Sequence, residues 1–328
     1  MMARALALLS GGLDSMLAAA MIKEQGIDVV GLVFETPFFS SEAAKKAVEQ
    51  LGIELKVVDM TDDYLKMLPN PKYGHGANMN PCIDCHAMML RKAGALLEEM
   101  GADFLITGEV LGERPMSQSS RGLSLVESYS GVGDKILRPL SAQLLEPTAM
   151  EEEGIVDRSR LGRISGRSRK MQMALAEKYG IQEYPTPAGG CLLTDPGYSK
   201  RLRELMQHEE EYQPENMQLL KIGRHLRVSS GTRTVIGRNK EENKMLLEAA
   251  GENDLTMHVR DYPGPVTLLR GNNITEEDIL LAARMTVRYS DARKQGKAAV
   301  RVQKLGQEIN ILADITPLEQ ETIAQYLI

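Results

Sequence analysis

The chain has no tryptophan, only 4% aromatic residues, and just three cysteines and five histidines in 328 residues. Three cysteines cannot form a disulfide framework at this length, and an odd number with a C-x-x-C pair points to metal or redox chemistry in a reducing compartment. No apolar run approaches the roughly 20 residues of a membrane helix, so no membrane is expected as a partner. Residues 1–10 run straight into Gly11-Gly12 without a small-residue cleavage site, and read as a first buried strand instead of a signal peptide. A cytoplasmic location is expected. Methionine is plentiful where aromatics are not, with 19 residues that suit adaptable core filling. The 43% hydrophobic and 26% charged composition excludes global disorder, and the length suggests two domains. A net charge of −6 excludes a uniformly basic protein and leaves local patches to be sought by segment.

Residues 3–59 repeat an apolar run, a polar or Gly-containing turn and a helix-period segment. Residues 5–9, 29–34 and 55–58 read as parallel strands with crossover helices at 14–25 and 41–51. A helix near 86–100 precedes a fourth strand at 104–107. The expected fold class is α/β, an open parallel sheet that binds ligands at the carboxyl ends of its strands, followed by a small α+β domain. The expected boundaries are 1–200 for the first domain, 201–217 for a linker marked by the acidic run 209–211 and Pro214, and 218–328 for the second. Two loops are too elaborate for connectors: 69–85, which delivers Cys82 and Cys85 to a helix start, and 183–198, which surrounds Cys191 and is expected to fold back over the active face.

Between the first strand and its helix lies Ser10-Gly11-Gly12-Leu13-Asp14-Ser15. The glycines admit an anion close to the backbone, the helix amino end offers N–H groups and a positive dipole, and the serines add hydroxyls. A Gly-rich turn with Asp as a cap would look alike, and the Lys of a Walker loop is absent. The segment resembles the PP-loop of ATP pyrophosphatases, which implies the open sheet of the adenine nucleotide alpha hydrolase (HUP) type, ATP as cosubstrate, pyrophosphate held by residues 10–15, and a magnesium-binding role for Asp14.

Cys82, Cys85 and the distant Cys191 offer thiolates suited to zinc or iron-sulfur clusters, with one coordination position open. A C-x-x-C redox pair with an unrelated third thiol, or a zinc completed by His75 or His86, remains open. The blocks at 107–118, 136–140 and 85–91, taken with the loop, resemble the catalytic domain of tRNA 4-thiouridine synthases and related 2-thiouridylases over about residues 3–198. That resemblance implies that Gly108 and Glu109 line the nucleotide pocket and that Phe34 lies by the adenosine. Two departures are the missing amino-terminal RNA-binding domains of the 4-thiouridine synthases and Glu113 where a Gln is usual. The three cysteines match thiolation enzymes that hold a 4Fe-4S cluster, whose spare iron carries sulfide.

Residues 237–243 and 254–264 resemble an NFACT-R type RNA-binding domain, over about 218–304. Lys221, Arg224, Arg227, Arg233 and Arg238 form an acid-free run, and Arg284, Arg288, Arg293, Lys294, Lys297, Arg301 and Lys304 stand against Asp291 alone. Such stripes suit an RNA backbone, although charged helix faces are common on any protein. A third basic run at 157–170 suits the same partner. His258 reads as a partly buried structural residue.

The combined expectation is an ATP-dependent tRNA sulfurtransferase with Asp14, Cys82 and Cys191 as catalytic residues. Free sulfide or a cysteine desulfurase would be the sulfur source, by a cluster or a persulfide route. A homodimer is compatible with this reading. The alternatives are a PP-loop enzyme adenylating a carboxylate for amide synthesis, and a non-catalytic RNA-binding iron-sulfur protein.

Overall fold

The structure, a computed structural model, describes residues 3–185, 191–209, 213–307 and 309–328. The chain divides into two compact units, Met1–Asp195 and Pro196–Ile328. In the first unit the elements run β1 (Arg4–Leu8), α1 (Leu13–Lys23), β2 (Asp28–Glu35), α2 (Glu42–Leu51), β3 (Glu54–Asp59), α3 (Thr61–Met67), α4 (Cys82–Leu96), β4 (Phe104–Thr107), α5 (Ser120–Ser130), β5 (Ile136–Leu137), α6 (Ala149–Glu152) and α7 (Lys170–Lys178). The strands form one parallel sheet in the order β3-β2-β1-β4-β5. The chain therefore reverses its direction of growth between β1 and β4, the kind of switch point at which open α/β sheets receive ligands.

Helix α1 is the centre of this unit. Residues 15–22 are all buried, a helix apolar around nearly its whole circumference, as expected of one enclosed by sheet and helices. It packs on β1, β2 and β4 and touches α2 and α7. Its core neighbours include Ala5, Ala7, Val29, Val33, Phe104, Ile106 and Leu137. Methionines 16, 21, 60, 79 and 150 are core residues as expected, whereas Met171 and Met173 on α7 are 60% and 58% exposed.

The second unit contains α8 (Pro196–His208), α9 (Pro214–Leu219), β6 (Arg224–Ser229), β7 (Thr232–Ile236), α10 (Lys240–Glu248), β8 (Leu255–Val259), β9 (Thr267–Gly271), α11 (Glu276–Arg288), β10 (Ala298–Lys304), β11 (Asn310–Ile315) and α12 (Gln320–Ala324). Its antiparallel sheet has the order β11-β10-β8-β9-β7-β6. The region expected as a linker is instead largely helical: most of 201–217 lies on α8 and α9, and Leu202, Leu205 and Met217 are fully buried. Residues 210 and 211 of the acidic run lie outside the described residues. Among the described residues no helix is long and apolar enough to cross a membrane.

His225 on β6 is 3% exposed, and its Nε2 lies 2.8 Å from the Ile222 carbonyl. Burial, reinforced by Arg201 and Arg233, pushes its pKa down to about 3. The unfolded imidazole protonates at its ordinary value of about 6.5, so the stability held in the neutral ring is complete above that pH and is lost as pH falls toward the folded value. The expected slope is about 1.4 kcal/mol per pH unit between about pH 6 and pH 4. Urea denaturation followed by circular dichroism should show that increment in the wild-type chain and not in His225→Gln; equal slopes in both would contradict it.

Candidate nucleotide and thiol site

The β1–α1 loop is tied by its own hydroxyls. Ser15 Oγ donates to the Gly12 carbonyl at 2.8 Å, the Gly12 N–H donates to Ser10 Oγ at 3.3 Å, and the two serine hydroxyls lie 3.3 Å apart. Gly11 has φ +78°, and a Cβ there would stand 2.3 Å from the Ala43 carbonyl carbon. A Cβ on Gly108, just beyond β4, would stand 2.4 Å from the Ser15 nitrogen. Both positions admit only glycine, and no side chain caps α1 at Gly12. Leu13 is a core residue at 2% exposure, so only its backbone faces the loop's ligand side.

Asp14 is half-buried, and its Oδ1 has no hydrogen-bond partner. Burial raises its pKa, while Arg169, Gln172 and Arg114 pull it down. Glu113 is raised by burial and by the charge of Asp14. A desolvated carboxylate oxygen without a partner, facing a second carboxylate, is donor chemistry that fits a hard divalent cation such as magnesium. Further buried side-chain atoms without partners, on Ser41, Asn80, Ser117 and Gln118, lie in the loops around this end of the sheet.

The three thiols come together through a strap between the two long loops. Asn78, at φ +63°, donates from Nδ2 to the Thr194 carbonyl at 2.7 Å, and the Met79 N–H donates to the Leu193 carbonyl at 3.0 Å. The buried Asp84 carboxylate accepts from the Lys72 and Tyr73 N–H groups, fixing the first loop on α4. Leu193 and Thr194 of the 183–198 loop thus meet the first loop, and residues 186–190, including Gly189 and Gly190, lie outside the described residues. Cys82 Sγ accepts from Asn80 Nδ2 at 3.0 Å. Burial raises all three thiol pKa values, Cys85 well above the ordinary thiol range, and Cys85 feels the charge of both others. The fully buried Tyr64 hydroxyl bonds to Cys85, and its ring packs on Phe38 and Phe39.

His75 is spent on the Leu68 carbonyl and His86 on Glu109, so neither imidazole stands ready to complete a zinc site. Among the described residues no three His, Cys, Asp or Glu side chains converge on a single ion. Three thiols within each other's electrostatic reach are a soft donor set of the kind that zinc and iron-sulfur clusters share. Arg114 is the link between the two halves, because its charge acts on Asp14 and also on Cys82 and Cys191.

Of the residues expected in the nucleotide pocket, Phe34 is 4% exposed near the carboxyl end of β2. Glu109 is 6% exposed and sequestered by ion pairs: Oε2 accepts from Arg138 Nε at 2.9 Å and from Thr107 Oγ1 at 3.2 Å, and Oε1 lies 2.9 Å from His86 Nδ1. Burial alone would raise its pKa, but Arg138 and His86 outweigh it and hold the value at about 2. Arg138, itself 3% exposed, also bonds Glu127.

Two family profiles match the sequence. The one described as "Thiamine biosynthesis protein (ThiI)" covers residues 1–146, and the one described as "NFACT protein RNA binding domain" covers residues 223–327. The amino-terminal part of the chain is thus similar to ThiI-family proteins and the carboxyl-terminal part to an NFACT-type RNA-binding domain. Over 326 residues it is 24% identical to a tRNA-specific 2-thiouridylase MnmA 2 from Thermoanaerobacter sp. (strain X514), spanning 89% of this chain and 85% of that one. It is 30% identical over 138 residues to a tRNA-specific 2-thiouridylase MnmA from Methylobacterium nodulans, covering 37% of this chain and 36% of that one. A probable tRNA sulfurtransferase from Thermoanaerobacter sp. (strain X514) is 35% identical over 148 residues, 42% of this chain and 36% of the other. The chain thus spans only about a third of the length of the latter two relatives. It is related to tRNA thiolation proteins through its ThiI-family domain, and to RNA-binding proteins through its NFACT-type domain.

In the NFACT-type domain the expected stripe at 221–238 is mostly consumed by internal pairing. Arg227 makes two bonds to Glu204, Arg238 is clamped by Glu242, Arg224 lies over the Tyr289 ring, and Arg233 is 2% exposed. The acids that neutralise Arg227 and Arg238 come from α8 and α10, outside the counted run, so a segment tally overstated the field. Arg293 and Lys294, exposed beyond α11, keep their charge toward solvent. His258 is half-buried beside Arg301, and both burial and that arginine lower its pKa.

The sequence reading did not single out Tyr64, Asn78 or Gln172; a tyrosine, an asparagine and a glutamine carry no motif signal, and only the fold shows what they touch. The Glu109–Arg138 pair supplies a stability test. Glu109→Gln leaves a buried guanidinium short of its charge partner, which should cost about 3 kcal/mol in the first unit, where a surface pair would cost under about 1 kcal/mol. Thermal or urea unfolding measures it, and a loss below about 1 kcal/mol would show the pair is not a structural keystone.

Proposed function

We propose that this protein is an ATP-dependent tRNA sulfurtransferase. The observation that carries this reading is the position of Arg114, within electrostatic reach of the Asp14 loop and of Cys82 and Cys191 at once. A phosphate-type loop and a thiol cluster sharing one arginine suit two successive displacements, the first at phosphorus and the second at the base carbon. A uracil or cytosine carbonyl oxygen of tRNA attacks the α-phosphorus of ATP, forming an O–P bond while the bond to the β-phosphate oxygen breaks and pyrophosphate leaves. Hydrosulfide then adds at the activated carbon, AMP departs with the original oxygen, and the hydrosulfide proton passes to solvent.

Residues 10–15 hold the pyrophosphate through backbone N–H groups and hydroxyls, and Asp14 would hold magnesium, which would supply electrostatic stabilisation where charge develops. Gly108 keeps the strand end flush with α1, and Glu109 lines the nucleotide pocket, held in place by Arg138 and His86. Cys82, Cys85 and Cys191 would hold a 4Fe-4S cluster, which when bound supplies an open position for a sulfur atom. Support for a cluster over zinc comes from the two imidazoles being engaged elsewhere. The sulfur source is free sulfide or a cysteine desulfurase, and the work is cytoplasmic. A domain division near residues 195–200 lets the NFACT-type domain serve RNA binding. Amide synthesis from a carboxylate leaves the thiol cluster without a role.

The test is mass spectrometry of digested tRNA nucleosides from a host with and without the gene. One thionucleoside should vanish; an unchanged profile would overturn the assignment. With purified protein kept anaerobic, Cys82→Ala, Cys85→Ala and Cys191→Ala should each lose iron and activity together. Full activity of iron-free Cys85→Ala would replace the cluster by a persulfide.

A further inference from the structure

The 69–85 loop and the two helices beside it carry a group of rings and cations that the proposed chemistry leaves without a task. Buried Asp84, one residue before Cys85 on α4, accepts the Lys72 N–H at Oδ1 (2.8 Å) and the Tyr73 N–H at Oδ2 (3.0 Å). Both carboxylate oxygens are thus spent on backbone, and Lys72 and Tyr73 are anchored to the helix as a unit. The Tyr73 ring meets the Tyr129 ring edge-on, with centroids 5.4 Å apart and planes at 71°. Tyr129 lies in the last turn of α5, which packs on α4. Arg91 follows Asp84 by seven residues, two turns along the same face of α4.

Tyr129 gathers two positive charges. Lys72 Nζ stands 4.5 Å from its ring centroid and Arg91 Cζ stands 4.9 Å from it. Both side chains belong to exposed residues. Among the described residues neither has a carboxylate partner, whereas Lys92, next to Arg91 on α4, is paired with Asp63. Sharing one ring brings the two charges within about a Debye length, so salt screens their repulsion incompletely. The ring orients each cation without neutralising it. Arg91 Nη2 donates to the Tyr129 carbonyl, and its remaining guanidinium donors have no partner among the described residues. Two aimed cations without a counter-charge suit an anion that reaches both, and a phosphodiester has two unesterified oxygens for the purpose.

The place of the pair favours RNA as the source of that phosphate. Residues 10–15 already provide for the phosphates of ATP at the amino end of α1. Arg91 lies six residues beyond Cys85, about 9 Å along the α4 axis, so a phosphate held there belongs to a strand passing the thiol-bearing turn. We infer that Lys72 and Arg91, aimed by Tyr129 and anchored through Asp84, clamp a backbone phosphate of the RNA substrate and seat its strand along α4. This rests on tRNA being the substrate. The clamp carries no sequence information; it sets the position of the strand.

Fluorescence anisotropy of fluorescein-labelled bulk tRNA, titrated with the full chain at several potassium chloride concentrations, tests it. The double variant Lys72→Gln, Arg91→Gln should bind about tenfold more weakly and lose about 1 from the slope of log affinity against log salt, the mark of one lost phosphate contact. Lys72→Arg, which keeps the charge, should keep the slope. Lys92→Gln removes a charge that Asp63 already answers and should change neither quantity. The double variant should also retain the wild-type thermal midpoint and magnesium-ATP affinity. Wild-type RNA affinity and slope in the double variant would overturn the clamp and leave Arg91 as a cap on α5. Lost ATP affinity with RNA affinity intact would overturn it in favour of a free nucleotide as the anion. Should the wild-type chain itself fail to bind tRNA, the substrate reading fails and the clamp falls with it.

Discussion

Everything chemical in the first unit depends on how closely backbone approaches the amino end of α1. Gly11 turns with positive φ against Ala43, and Gly108 lies where any Cβ would strike the Ser15 nitrogen. These two contacts fix β1, β4 and α1 against one another, and so fix where Asp14 points. The helix can be buried on nearly all sides because its one hydrophilic turn is the turn at this end. The cost is an unsatisfied carboxylate oxygen in a desolvated place, a state that a folded protein retains where a ligand restores the missing partner.

The thiols depend on a different device. Cys82 and Cys85 are one helical turn apart on α4 and meet by local geometry alone, whereas Cys191 arrives from more than a hundred residues away. The hydrogen bonds from Asn78 and Met79 to Thr194 and Leu193 carry it there. They are backbone-directed, so they specify the path of the loop whatever its side chains. Burial without a cation leaves the thiols protonated, and a bound metal centre is what makes thiolates of them.

The open parallel sheet was legible because each strand is a short apolar run and each turn carries Gly or polar residues, and the loop at 10–15 because its spacing has few other uses. Three things were not. Glu109 follows β4, where a motif names a residue without saying what it pairs with, and only the fold shows its bonds to Arg138 and His86. The stretch 201–217 read as linker from its charge and proline, but Leu202 and Leu205 on α8 and Met217 on α9 are fully buried. Gln172 is one polar letter among many on α7, and only the fold shows that it is fully buried.

Charge tells the same story at larger scale. A run of arginines predicts an RNA surface only if no acid elsewhere reaches it, and in the NFACT-type domain Glu204 and Glu242 reach Arg227 and Arg238. Each pairing removes a counterion-releasing contact, so the salt dependence of RNA binding is set by the arginines and lysines left over, not by the count in sequence. In the first unit Arg163, Arg167 and Lys170 of the 157–170 run are exposed, on the same loop that carries Arg169. That run therefore faces outward with charge suited to a phosphate backbone.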